Sequence, residues 1–119
     1  LSEHELTEQR SRFCAAAVPA ATLDDVKREL AKRKKRYHKA RHHCWACRVW
    51  DDNGRLVEQA RDDGEVGRPG MKLLELLRRR DLEGLLVVSR FFGGVKLGPG
   101  GVGRAFRDAA LEALKSVDR

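Results

Sequence analysis

No stretch of the 119-residue chain approaches the roughly 18 consecutive apolar residues that a membrane-spanning helix needs. The start lacks the basic-then-apolar order of an export signal, so secretion is not expected. Leu1 stands where a methionine would open a complete chain, which suits a segment of something longer. The three cysteines, Cys14, Cys44 and Cys47, are an odd set without framework spacing. That excludes a disulfide scaffold and implies free thiols in a reducing compartment, the cytoplasm by default. Cys44 and Cys47 have C-x-x-C spacing, but there is no second such pair. Residues three apart on a strand face opposite ways, so a zinc clasp is not expected, and no thioredoxin-like pattern surrounds the pair to suggest a redox dithiol. Ser2, Ser11, Ser89 and Ser116 sit in no G-x-S-x-G context, and no Ser/His/Asp or Cys/His set emerges. The reading is therefore non-enzymatic, without cofactor or resident metal. Internal repeats and low-complexity tracts are also absent.

Cationic charge is abundant. Lys and Arg number 25 against 18 Asp and Glu, for a formal net charge of +7. Such a balance favours acidic partners: nucleic acid, an acidic protein surface or anionic lipid. The densest run holds Lys27, Arg28, Lys32, Arg33, Lys34, Lys35, Arg36, Lys39 and Arg41, opposed by Glu29 alone. Like charges one turn apart repel by a few tenths of a kcal/mol per pair. So one-sided a helix reads as a basic patch, centred on Lys32, Arg33, Lys34, Lys35, Arg36 and Lys39, for a polyanion or an acidic surface.

Residues 1–10 are polar and expected to be a flexible N-terminal segment; residues 11–119 form one domain by length. Residues 11–20 carry Phe13-Cys14-Ala15-Ala16-Ala17-Val18 before Pro19 and read as an edge strand. Thr22 offers a helix cap, with Asp24 and Asp25 in the first turn, and Leu23, Val26, Leu30 and Tyr37 form a stripe to about Lys39. A strand over 43–50, a turn at Asp52-Asn53-Gly54 and a return strand over 55–60 follow. After a loop over 61–70 come a helix over 71–80, a buried strand over 84–90 and a closing helix bearing Val102, Phe106, Ala109, Ala110, Ala113, Leu114 and Val117. The order β-α-β-β-α-β-α predicts an α+β, two-layer sandwich with helices mainly on one face of a single sheet.

The most informative stretch is residues 89–107, where a strand empties into Arg90-Phe91-Phe92-Gly93-Gly94 and then Gly98-Pro99-Gly100-Gly101 opens a helix carrying Arg104 and Arg107. Glycine permits tight turns and close helix–sheet packing; it also lets backbone approach another molecule. Strand alternation puts His42, Cys44, Ala46 and Arg48 on one face, small in the middle and polar at its ends, and the bulkier His43, Trp45, Cys47 and Val49 on the other. The first face is either a solvent surface or a shallow seat for a ligand. The turn Asp62-Asp63-Gly64-Glu65 could hold Mg²⁺ or do acid–base work, although it lacks calcium-loop spacing. Such turns are otherwise solvated, or pinned by backbone N–H groups and a neighbouring arginine.

Three segments together resemble the ancient domain of the Impact family: His42-His43-Cys44-Trp45-Ala46-Cys47-Arg48, then Asp62-Asp63-Gly64-Glu65, then Arg90-Phe91-Phe92-Gly93-Gly94-Val95-Lys96-Leu97-Gly98 with Arg104-Ala105-Phe106. Their order and separations match, and the likeness extends from about Ser11 over nearly the whole chain. The chain departs from the pattern in three places. Val66-Gly67-Arg68-Pro69-Gly70-Met71-Lys72-Leu73 stands where the family reads P-x-G-T-A-G-x-P, Cys47 replaces an aromatic, and Phe91 replaces a tyrosine. The resemblance implies a fold like domain 2 of ribosomal protein S5. It implies a cytoplasmic regulator that competes for the large activator of the kinase that phosphorylates translation initiation factor 2, restraining that kinase in starvation. The alternative is an RNA- or DNA-binding module using the basic helix and the Gly-rich turn. Either would use His42, Arg48, Asp62, Asp63, Glu65, Arg90, Phe91, Phe92, Gly93, Gly94, Lys96, Gly98 and Arg104. Arg90, Phe91, Phe92, Lys96 and Arg104 are expected on one outward surface.

Overall fold

Two continuous apolar runs, 13–18 and 85–88, decide the architecture, because a strand without alternation must be covered on both faces. In the computed structural model, which describes residues 1–94 and 96–117, these runs become the inner strands of a five-stranded antiparallel sheet. In chain order the elements are β1 (Ser2–Glu8), β2 (Ser11–Val18), α1 (Leu23–Arg36), β3 (His42–Trp50), β4 (Leu56–Arg61), α2 (Pro69–Arg79), β5 (Gly84–Phe91) and α3 (Gly98–Lys115). The sheet order is β1-β2-β5-β3-β4. Val95 of the Gly-rich motif lies outside the described residues.

Each sheet face carries an apolar core. On one, Phe13, Ala15, Cys44, Ala46, Leu86 and Val88 pack against Leu73 and Leu77 of α2 and Phe106, Ala109 and Ala110 of α3. Phe13 and Phe106 meet edge to face at 5.1 Å. On the other, Ala16, Val18, Cys47, Val49, Leu85 and Val87 receive Val26 and Leu30 of α1. The expected two-layer sandwich thus holds for α2 and α3, while α1 adds a third layer behind the sheet. The supposed ligand seat between His42 and Arg48 does not exist: Cys44 and Ala46 at its centre are fully buried under the helices. Cys44 and Cys47 enter different cores, as strand alternation requires.

The N-terminal segment is not loose. Ser2–Glu8 pairs along its length with β2, which is therefore an inner strand and not an edge. Its apolar content is slight, but Leu6 packs against the α2–α3 core and the Ser2 hydroxyl donates to the Ala113 carbonyl. Glu3 accepts from both Arg33 and Arg36 at 2.7 Å, tying the strand to α1. Helix α1 starts as read: Thr22 Oγ1 accepts from Asp25 N, and Asp25 accepts from Thr22 N in return, a capping box. It ends at Arg36, because Tyr37 leaves helical geometry.

Candidate functional site

The acidic turn after β4 is built into the frame. Asp62 Oδ1 accepts from Gly70 N at 2.8 Å, fastening the turn to the start of α2. Asp63 Oδ2 accepts from His43 N at 2.8 Å, and the Asp63 carbonyl lies 2.8 Å from His42 Nδ1, fastening it to β3. Glu65 Oε2 accepts from Arg90 Nη1 at 2.9 Å and faces His42 Nε2 at 3.7 Å. Arg90 also reaches the Ser11 hydroxyl, which accepts from Gly93 N at 3.2 Å. Four segments distant in sequence converge here, and the carboxylates are occupied by backbone N–H groups and an arginine. Among the described residues, no three His, Cys, Asp or Glu side chains are grouped so as to hold a metal ion.

Arg90 is accordingly not a docking cation. It is 4% exposed, and its Nε has no hydrogen-bond partner among the described residues. The cause is register: β5 continues through Phe91, so Arg90 turns toward the α2–α3 side and Phe91 toward the α1 side. Arg48 is likewise committed, its Nε donating to Glu58 Oε2 at 3.0 Å and its Nη1 to the Leu82 carbonyl at 3.2 Å. Both arginines are thus held by contacts within the fold.

What faces outward at this end of the sheet is aromatic. Phe92 is 40% exposed, with the Arg41 guanidinium 4.7 Å from its ring centroid. Half-buried Phe91 carries Arg12 at 4.3 Å and meets Tyr37 edge to face at 5.8 Å; Arg36 in turn lies 4.9 Å from the Tyr37 ring. Cations held over ring faces gain about 0.5–1 kcal/mol each at such exposed sites. Sequence reading puts Arg41 in the basic run and Tyr37 in the apolar stripe of α1, not with Phe91 and Phe92, and does not single out Arg12 as a site residue. The signal for Arg12 lay in the antiparallel pairing that sets it opposite Phe91. Lys96 stands exposed on the loop before α3. Arg104 is not with the rings; it lines a groove between α2 and α3. The expected single surface therefore divides: Phe91 and Phe92 keep a rim with Arg12, Tyr37 and Arg41, and Arg104 belongs elsewhere.

The basic helix is more neutral than its sequence. Arg33 is 6% exposed and, like Arg36, spent on Glu3; Arg28 pairs with Asp25, and Lys32 with Glu29 at 3.3 Å. Burial pushes the Glu3 carboxyl up, but the two guanidiniums together outweigh it and hold it below its ordinary range. Lys34, Lys35 and Lys39 remain exposed. Of the two glycines that close the rim, Gly94 has φ +86 and Gly93 abuts Arg10, so the close approach is to the chain's own β1–β2 connection. Gly98, φ +73, turns the backbone into α3.

The Impact N-terminal domain family matches residues 9–114. The chain belongs to the Impact family. Over 117 residues it is 35% identical to IMPACT family member YvyE of Bacillus subtilis, an alignment spanning 97% of this chain and 53% of that one. Over 112 residues it is 41% identical to the IMPACT family member in pol 5'region of Thermus thermophilus, spanning 93% and 59%. The solved structure of the two-domain translational regulator Yih1 superposes with a TM-score of 0.64 at 27% identity, covering 97% of this Impact domain and 45% of that chain. The domain therefore spans little more than half the length of these bacterial relatives and less than half of Yih1. The quoted motifs of the family are now placed: Asp62-Asp63-Gly64-Glu65 and Arg90 form the internal clamp, and Phe91-Phe92 the rim it supports.

Proposed function

We propose that this domain is the docking part of a cytoplasmic, non-enzymatic regulator of translation that works by binding a protein partner. The observation that carries the reading is the rim, where Phe91, Phe92 and Tyr37 lie partly open with Arg12, Arg36 and Arg41 stacked on them. Aromatic and arginine side chains are the usual anchors of protein interfaces, worth above about 2 kcal/mol each when a partner buries them. The internal clamp beneath keeps the rim rigid, which lowers the ordering cost of association. Similarity to the translational regulator Yih1 supports a role in translation, and the partner we propose, from the family resemblance alone, is the large activator of the kinase that phosphorylates translation initiation factor 2. Binding of nucleic acid through α1 is less well supported, because Arg28, Lys32, Arg33 and Arg36 already have carboxylate partners.

The test is capture of that activator from extract on immobilised chain, with and without nuclease. The expected result is retention that survives nuclease, responds mildly to salt, and falls at least about tenfold with Phe92→Ala. Retention lost on nuclease treatment, or indifferent to Phe92→Ala and Arg41→Ala together, would overturn the reading.

A further inference from the structure

The outer side of the α2–α3 layer carries a feature that the rim does not use. A groove of about 240 Å³ lies between the two helices, and four cations stand along it, Lys72 and Arg79 from α2 and Arg104 and Arg107 from α3. Lys72 and Arg79 are separated by two helical turns, about 10 Å of axis, and Arg104 and Arg107 by about one. Glu75 is the carboxylate on the groove wall. Among the described residues, Lys72, Arg79 and Arg104 have no carboxylate within ion-pair distance, and Arg107 has only its exposed neighbour Asp108 at 3.9 Å. This is the reverse of α1, where cations crowd in sequence and are then neutralised within the fold.

Two further observations give the groove a sign and a shape. The Arg104 guanidinium lies beside the first turn of α3, within about 4 Å of where Cβ atoms on Gly100 and Gly101 would stand. That turn has no acidic residue and no side-chain cap, so a cation sits near the positive end of a helix, an arrangement an anion would relieve. The stem of Lys72 is laid over Gly103, where a Cβ would come 2.5 Å from Lys72 Cε, which limits where its ammonium can go.

We propose that this groove binds the phosphodiester backbone of a nucleic acid. Arginine matches phosphate with two parallel N–H donors, and three of the four cations are arginines. The groove has no aromatic residue, and its Leu76 is buried, so it lacks the apolar anchors by which a protein partner would hold. The site is separate from the Phe91–Phe92 rim, so one domain offers a phosphate-reading face and an aromatic face.

The test is fluorescence anisotropy with labelled oligouridylate over a salt series. Four contacts to a single strand predict a log–log salt slope of about −2.8, and Arg79→Gln with Arg107→Gln should flatten it by about 1.4 and weaken binding roughly tenfold at low salt. Both side chains are exposed, so the fold should be unchanged by circular dichroism. Lys34→Gln with Lys35→Gln removes the same charge from α1 and should leave the slope intact. Phe92→Ala should leave RNA binding intact while weakening capture of the protein partner at least about tenfold, which separates the two surfaces. Equal losses from the two charge-removing pairs, no binding at low salt, or competition by polyglutamate as strong as by RNA would each overturn the proposal; the last would make the groove a site for acidic protein.

Discussion

Arg90 Nη1 donates to Glu65 Oε2 at 2.9 Å, joining the end of β5 to the turn after β4, with side chains only 5% and 3% exposed. A buried pair of this kind adds little net stability over apolar residues of the same shape, but removing one member strands the other charge. Glu65→Leu should cost about 3–5 kcal/mol in urea unfolding, and Glu65→Leu with Arg90→Met together much less than the sum of the singles. A single-variant loss under about 1 kcal/mol would show that the turn is held by its Asp62 and Asp63 contacts alone.

Gly93 and Gly94 should fail for different reasons. A Cβ on Gly93 would overlap the Arg10 carbonyl, so Gly93→Ala must shift backbone and should cost about 1–3 kcal/mol or more. Gly94 has open space around it but φ +86, so Gly94→Ala should cost about 1–2 kcal/mol, and Gly94→Asn less, since asparagine tolerates that region. Thermal melts of the three variants give the ranking; equal losses for Ala and Asn at Gly94 would contradict it.

The helices were legible because their signals are local: the Thr22–Asp25 box, the Val26–Leu30 stripe and the leucines of α2 each lie within a few turns. β1 was not, because its inward positions are Ser2, His4 and Leu6, a single apolar residue in a strand whose stability comes from its neighbours. The third layer was legible in principle: the unbroken run 85–88 demands cover on both faces. The fate of Arg90 followed from strand period, yet the last turn of that period depended on how far β5 ran. The cationic groove was illegible, because its four members come from two helices whose facing sides only packing determines.

Glu3 offers a test of the corrected N-terminus. Glu3→Gln leaves Arg33, 8% exposed, without its carboxylate, and should cost about 0.5–1 kcal/mol at neutral pH after allowance for the partial exposure of Glu3. Because the folded-state carboxyl titrates below its ordinary 4.5, this contribution is present above that value and lost as pH falls through the lowered one. The gap between parent and variant should therefore close in acid. Amide exchange should also speed selectively along Ser2–Glu8; uniform acceleration across the sheet would refute a local tie.

His43 governs a separate window. It is 8% exposed, with Nδ1 2.8 Å from Ser89 Oγ. Burial pulls its pKa below the ordinary 6.5; the Asp63 carboxylate opposes this, and Lys34 and His42 add to it. The unfolded chain therefore binds the proton more readily, so stability conferred by neutral His43 is complete above about 6.5 and declines as pH falls from there toward the lowered folded value. Glu3, Asp25 and Glu58, whose carboxyls are all held below the usual carboxylate range, titrate further into acid and leave this window to histidine. Urea midpoints taken between pH 7.5 and 5.5 should fall in the parent and fall less in His43→Gln, whose amide can still bond Ser89. If both decline alike, buried neutral His43 is not the source of the effect.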